Sequence, residues 1–281
     1  MLTTNKIIAI KEQLKAWKMD GCSIGFVPTM GYLHEGHQSL IRHSVTENDK
    51  TVVSIFVNPT QFGPSEDFEA YPRDLEADKA LCENTGADLI FCPEAPEMYP
   101  EGFCSYVAVE NLTKELCGKS RPTHFNGVST IVNKLLNIIT PDRAYFGQKD
   151  AQQLAVIRRM VRDLNMAAEI IGCEIIREKD GLAKSSRNTY LDSVQRVAAT
   201  ILSKSLVLAK SMMASGEKQT AVIIKALTDY ICREPLAKID YVEIVDSESM
   251  EKVDEVQGEV LVALAVYIGK TRLIDNILYK G

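Results

Sequence analysis

Only four histidines and one tryptophan occur in this 281-residue chain, and no two cysteines stand in a Cys-x-x-Cys pair. The histidine shortage argues against a zinc centre: His43 and His124 offer no ligand spacing with a cysteine or a carboxylate pair, which leaves His34 and His37 as an isolated couple. Cys22, Cys82, Cys92, Cys104, Cys117, Cys173 and Cys232 are odd in number and scattered, which excludes a disulfide framework and reads as buried, reduced thiols of a cytoplasmic protein. Positive charge is short as well. With 32 Lys and Arg against 38 Asp and Glu, the formal net charge is -6, so no basic field exists to hold nucleic acid or an anionic membrane. Apolar runs long enough to cross a bilayer are missing, and Ile7-Ile8-Ala9-Ile10 is too short for a signal-peptide core. Repeats and low-complexity tracts are absent too. What survives is small-molecule chemistry, with neither nucleic acid nor membrane as partner.

The pattern that is present is one of alternation. Ser23 to Val27, Thr51 to Val57, Asp88 to Cys92 and Ala144 to Phe146 are short apolar runs suited to strands buried on both faces. Helix-period stretches lie between them at Gln38 to Val45, Asp74 to Asn84, Val128 to Ile139 and Ala151 to Leu164. This predicts an α/β fold with a parallel sheet, extended by a strand at Glu169 to Ile176. The polar segment Glu178 to Gly181 then marks a boundary, giving one domain over 1–176 and a smaller α+β, lid-like one over 177–281. In the latter, a long helix is expected to bury Val197, Ile201, Leu208 and Met212. A second helix follows around Ala221 to Cys232, and two strands, Ile239 to Val245 and Glu259 to Ile268, close the chain.

Four segments carry chemistry. Pro28-Thr29-Met30-Gly31-Tyr32-Leu33-His34-Glu35-Gly36-His37 joins the first buried strand to a helix, the place where free backbone N–H groups and the helix dipole favour a phosphate. His34 and His37, three apart, can face one anion, and the dipole disfavours their cationic forms. After the next strand, Asn58-Pro59-Thr60-Gln61 places an uncharged amide at the same sheet edge, suited to hydroxyls or a carboxylate. Gly147-Gln148-Lys149-Asp150 repeats the strand, turn and helix arrangement, with Lys149 a point charge for phosphate, Asp150 at the N-cap position and Gln153 one turn further on. Lys184-Ser185-Ser186-Arg187 sets two hydroxyls between two cations, a composition that can follow a departing pyrophosphate. No carboxylate pair or nucleophilic serine accompanies these groups, so they favour positioning and charge stabilisation over covalent catalysis.

Val27-Pro28-Thr29-Met30-Gly31 with His34 and Gly36-His37, Phe56-Val57-Asn58-Pro59 with Gln61-Phe62, Tyr71-Pro72-Arg73, Phe146-Gly147 with Lys149-Asp150, and Asp180-Gly181-Leu182-Ala183 with Ser185-Ser186-Arg187-Asn188 resemble the pantothenate synthetase family. The resemblance runs essentially from end to end. It implies a nucleotidylyltransferase-superfamily ligase, with a Rossmann-like N-terminal domain and a smaller C-terminal one, that condenses pantoate with β-alanine through an enzyme-bound pantoyl adenylate, releasing AMP and pyrophosphate. It also implies a homodimer, and ATP as a substrate with Mg2+ carried on its phosphates; the ligands of that ion are unassigned, Asp78 standing in too loose a motif to supply one. By position, the resemblance assigns catalysis to His37, His34 and Lys149. ATP falls to Met30, Gly31, Tyr32, Leu33, His34, Glu35, Gly36, His37, Gly147, Gln148, Lys149, Asp150, Ile176, Lys184, Ser185, Ser186 and Arg187. Pantoate falls to Gln61 and Gln153, and β-alanine to Gln61. Lys184 departs from the Met or Leu common in such proteins. A related enzyme that stops after nucleotidyl transfer is the alternative, and the uncharged Gln61 and Gln153 argue against it, since a phosphate-bearing acceptor calls for a basic residue.

Overall fold

The computed structural model describes residues 1–64 and 66–281. These fall into two compact units. The first comprises Met1–Val109, Arg121–Gln148 and Val156–Glu174; the second comprises Glu110–Ser120, Lys149–Ala155 and Ile175–Gly281. In chain order the elements are β1 (Leu2–Thr4), α1 (Ile7–Met19), β2 (Ile24–Thr29), α2 (Glu35–Glu47), β3 (Lys50–Ile55), α3 (Leu75–Thr85), β4 (Leu89–Phe91), α4 (Ala95–Met98), α5 (Leu116–Ser120), α6 (His124–Ile139), β5 (Arg143–Gly147), α7 (Ala151–Asp163) and β6 (Glu169–Cys173). There follow α8 (Ser193–Ala198), α9 (Ile201–Ala214), α10 (Thr220–Ile231), β7 (Ala237–Asp246), β8 (Glu259–Ile268) and β9 (Thr271–Lys280).

All six strands of the first unit run parallel, in the order β1-β4-β3-β2-β5-β6. From β2 the chain builds outward through β3 and β4 and then returns to place β5 and β6 on the other side. The β2/β5 junction is therefore the topological switch point, where a crevice opens beyond the carboxyl ends of the strands. On one face, Val27, Val53, Ile90 and Tyr145 pack against Leu40 and Ile41 of α2 and Cys82 of α3. Helix α1 buries Ile10, Leu14 and Trp17, three residues at helical spacing, and packs on α6.

The second unit has its own core. The antiparallel sheet β7-β8-β9 is covered by α9 and α10, with Leu202, Leu206, Ile223 and Leu227 packed against Val260, Val262 and Leu264. The expected helical face was displaced by one residue: Leu202, Leu206, Ala209 and Met213 are buried, whereas Val197 is 69% exposed and Ile201, Leu208 and Met212 flank the core. The single long helix is also broken, because α8 ends at Ala198 and α9 begins at Ile201. The stretch Ser193–Ala214 is apolar enough to span a bilayer by length and composition, contrary to the expectation from the sequence, and half of its most apolar window is buried.

Five elements had no counterpart in the sequence reading: β1, α1, α4, α5 and β9. In β9 the central Asp275 and Asn276 are polar yet 2% and 3% exposed, which interrupts the apolar signal. The cysteine expectation also needs correcting: Cys82 and Cys173 are buried, and burial pushes their thiols up to about 12 and about 11, but Cys104 and Cys232 are exposed.

Candidate active site

Within the first unit the loop from Thr29 to His37 leaves the carboxyl end of β2 at the switch point and enters α2. Its backbone is unusual, with Gly31 at φ +83° and Tyr32 at φ +51°, two successive left-handed residues. A side chain on Gly31 would meet Asp78 Oδ2 and Ile55 Cγ2, both at 2.9 Å, so only glycine fits there. Free backbone donors were expected in this loop, but several are already occupied. The Gly31 N–H donates to Thr29 Oγ1 at 3.2 Å, and those of Tyr32 and Leu33 donate to the Asp78 carboxylate at 2.8 and 2.6 Å. His34 is the N-cap residue, outside the first turn where it was expected.

The two histidines cap the helix reciprocally. His34 Nδ1 accepts the Gly36 N–H at 3.1 Å, and His37 Nδ1 accepts the His34 N–H at 3.3 Å. A ring nitrogen that accepts carries no proton, so each neutral imidazole holds its hydrogen on Nε2. The ring centroids are 4.2 Å apart. The sequence-predicted pair is thus brought together as two Nε2–H donors, and protonating either ring at Nδ1 would break a cap.

The neighbouring loop, after β3, contains the one-turn 3-10 helix Pro59–Gln61. Gln61 Nε2 lies 2.9 Å from Met30 Sδ, so the predicted pantoate residue and the first residue of the histidine loop touch. Three residues not assigned from the sequence fix Gln61. The buried Asn58 donates to Gln61 Oε1 at 3.2 Å and accepts from Tyr99 at 2.7 Å, and His124 Nδ1 and Arg121 both reach the Gln61 carbonyl, at 2.9 and 3.3 Å. Gly127 allows the close approach, since a Cβ there would lie 2.4 Å from the Thr60 carbonyl oxygen. Asn58 stood in a quoted motif without a role, and His124 had been considered only as a metal ligand. Gly147 ends β5 on the other side of the switch point, with Gln148 next to it.

The remaining predicted residues belong to the second unit. Lys149 and Asp150 form a turn in which ammonium and carboxylate face each other at 3.4 Å, so the carboxylate expected as a helix cap meets the lysine. Gln153 is half-buried in the first turn of α7, and its amide makes no hydrogen bond among the described residues. Ile176 and Lys184 are brought together as opposite ends of a tight hairpin, the Lys184 N–H donating to the Ile176 carbonyl at 2.9 Å. Beyond it, Ser185 caps the 3-10 turn Ser186–Tyr190 by accepting the Arg187 N–H. Arg177 secures the hairpin, with two bonds to the Asp275 carboxylate at 2.7 and 2.9 Å and one to the Gly181 carbonyl at 3.0 Å. Next in β9, Asn276 donates to the Lys149 carbonyl at 2.9 Å. Consecutive residues of one strand therefore hold both polar segments of this unit.

A family profile described as Pantoate-beta-alanine ligase matches residues 2–278. The chain belongs to this family. A pantothenate synthetase of Ruminiclostridium cellulolyticum is 62% identical over 279 residues, 99% of each chain, and one of Caldicellulosiruptor bescii is 56% identical over the whole of both. Among solved structures, pantothenate synthetase from Thermus thermophilus superimposes with a TM-score of 0.94 at 42% identity, covering 99% of both chains. The pantoate-beta-alanine ligase of Francisella tularensis, solved as a complex with beta-gamma ATP and beta-alanine, has a TM-score of 0.81 at 34% identity, covering 99% of this chain and 97% of that one. This pantoate–β-alanine ligase is accordingly an ATP-dependent enzyme that makes pantothenate.

Proposed function

We propose that the two histidines and the two polar segments of the second unit divide the work of a two-step ligation. A pantoate carboxylate oxygen attacks the α-phosphorus of MgATP, the bond to the β-phosphate breaks, and pyrophosphate leaves. The β-alanine amine then attacks the acyl carbon of the pantoyl adenylate and gives up a proton, and AMP departs with the bonding pair. In the first step negative charge grows on the phosphates. His37 and His34 would meet it as Nε2–H donors, and Lys149 and Arg187 as cations, with Ser185 and Ser186 as hydroxyl donors. Ile176 serves adenine through its backbone, Gln153 holds pantoate, and Gln61 serves both pantoate and β-alanine. Magnesium enters as part of the MgATP substrate; among the described residues no three His, Cys, Asp or Glu side chains converge on a point that could hold it.

The observation that carries this reading is the reciprocal cap, which aims two neutral imidazoles away from their own backbone at the switch point. With pantoate and MgATP present and β-alanine withheld, about one pyrophosphate per site should appear before turnover stalls; pyrophosphate that appears only with β-alanine would overturn the two-step order. Replacing Gln153 by Ala should raise the pantoate KM by roughly tenfold, the loss of one hydrogen bond to a charged group, and leave the ATP KM unchanged.

A homodimer in the cytoplasm completes the proposal. Support for the dimer comes from the family resemblance; in the segment 103–110, which joins neither sheet, Tyr106 is 64% exposed. Sedimentation at the 31.2 kDa of one chain would overturn it.

A further inference from the structure

Asp78, on α3, is only 3% exposed, yet no Lys, Arg or His among the described residues forms an ion pair with it. A buried carboxylate without a cation is costly unless its oxygens are otherwise satisfied. Here the satisfaction comes from the histidine loop. Oδ2 takes the Tyr32 N–H at 2.8 Å and Oδ1 takes the Leu33 N–H at 2.6 Å. Those two N–H groups converge because Gly31 and Tyr32 are both left-handed, a backbone concavity that suits an anion. Tyr32 carries a side chain in that conformation, which is unfavourable and persists only where the surroundings hold it. Gly31 is likewise bounded by Asp78 Oδ2, at 2.9 Å from where a Cβ would stand.

We infer that Asp78 is a positioning residue for adenylation: its buried carboxylate fills the anion nest of residues 31–33 and so sets where the capped His34 and His37 rings point. The inference rests on the reading of that loop as the ATP site. The path is short and continuous. Leu33 N–H is fixed by the carboxylate, His34 follows as the N-cap with its own N–H on His37 Nδ1, and His37 stands at the third helical position. Burial pushes the Asp78 carboxyl up from its ordinary value while the two backbone amides oppose that rise, so the nest holds the carboxylate in an otherwise hostile place. Asn is nearly the same shape, but one oxygen becomes an NH2 group that would confront a backbone N–H, opening one side of the nest.

Asp78→Asn should lower the rate of pyrophosphate release by about 10²-fold, the scale of a misplacement near 1 Å. The ATP KM should rise as well, with the pantoate KM held within about twofold. Tyr32→Gly in the Asp78→Asn background should restore part of that rate, because glycine adopts the left-handed geometry without help. A merely structural role would lower thermal stability, measured by circular dichroism, without separating the two KM values and without rescue by Tyr32→Gly. Should Asp78→Asn fail to fold, amide exchange in the unaltered enzyme decides: Tyr32 and Leu33 should be strongly protected without ATP, and exchange as fast as in an open loop would overturn the inference. His37→Ala is assayed alongside. A damaged His37→Ala beside an unimpaired Asp78→Asn overturns this inference alone, whereas normal adenylation by His37→Ala removes the reading of the loop and the inference with it.

Discussion

Asp78 and Asp275 are equally buried, at 3% and 2% exposure, and they solve the problem of a buried negative charge in opposite ways. Asp78 is held by two backbone N–H groups of a loop, Asp275 by the forked guanidinium of Arg177. The first arrangement ties a carboxylate to backbone shape, so losing its charge alters geometry locally and leaves no stranded charge. The second ties it to another charge, so losing it leaves a guanidinium uncompensated. A loop that must present ring nitrogens is served by the first device. A hairpin that must be held as a body, with Ile176, Lys184 and the Ser186–Tyr190 turn, is served by the second.

The largest expected effect concerns what the first device presents. His37→Ala should fold and lose roughly 3 kcal/mol of transition-state stabilisation, the worth of one donor aimed at developing charge, read as pyrophosphate release; near-normal release would show that the loop is held for some other purpose. The second device should answer in stability instead. Asp275→Asn strands Arg177, whose side chain is 29% exposed, and should cost on the order of 2 kcal/mol in urea unfolding, with the ATP KM following as the hairpin loosens. Unchanged stability would mean that solvent supports the guanidinium.

The smallest effect is one of sign. Because burial holds the folded pKa of Asp78 above its ordinary value of 3.8, the folded state keeps that proton longer than the unfolded state. Its contribution to stability therefore falls as pH rises from 3.8 through the folded pKa. Asp180 runs the other way: its hydrogen bond to Arg196 lowers its pKa, so its contribution is present at neutral pH and lost as pH falls below the usual carboxylate range. Urea titrations of Asp78→Asn and Asp180→Asn from about pH 3 to 7 should show opposite slopes relative to the unaltered enzyme. Parallel slopes would show that burial does not set the sign at Asp78.

Much of the fold was legible because buried parallel strands are continuous apolar runs. β3, β5 and β8 were found within two residues of their ends, and β8 over its whole length. β9 was not, because Asp275 and Asn276 break the run for reasons that lie in distant partners, Arg177 and the Lys149 carbonyl. The shifted face of α9 has a local cause: Leu202, Leu206, Ala209 and Met213 and the flanking Ile201, Leu208 and Met212 make one broad apolar stripe, and periodicity alone does not say where its centre lies. At the candidate site, His34, His37 and Gln61 announced themselves by position after a strand. Asp78 did not announce its role, since a helical aspartate in sequence looks solvated and only the left-handed turn of Gly31 and Tyr32 shows what it holds.

Trp17, buried in α1 of the first unit, is the chain's only indole. Its emission at red-edge excitation is therefore a local optical reporter, silent about β7, β8 and β9. Tryptophan fluorescence and far-ultraviolet ellipticity followed together along one denaturation curve would reveal whether the two cores melt as one cooperative body or in sequence. The variants at Asp78 and Asp275 could then be sorted by which signal moves first.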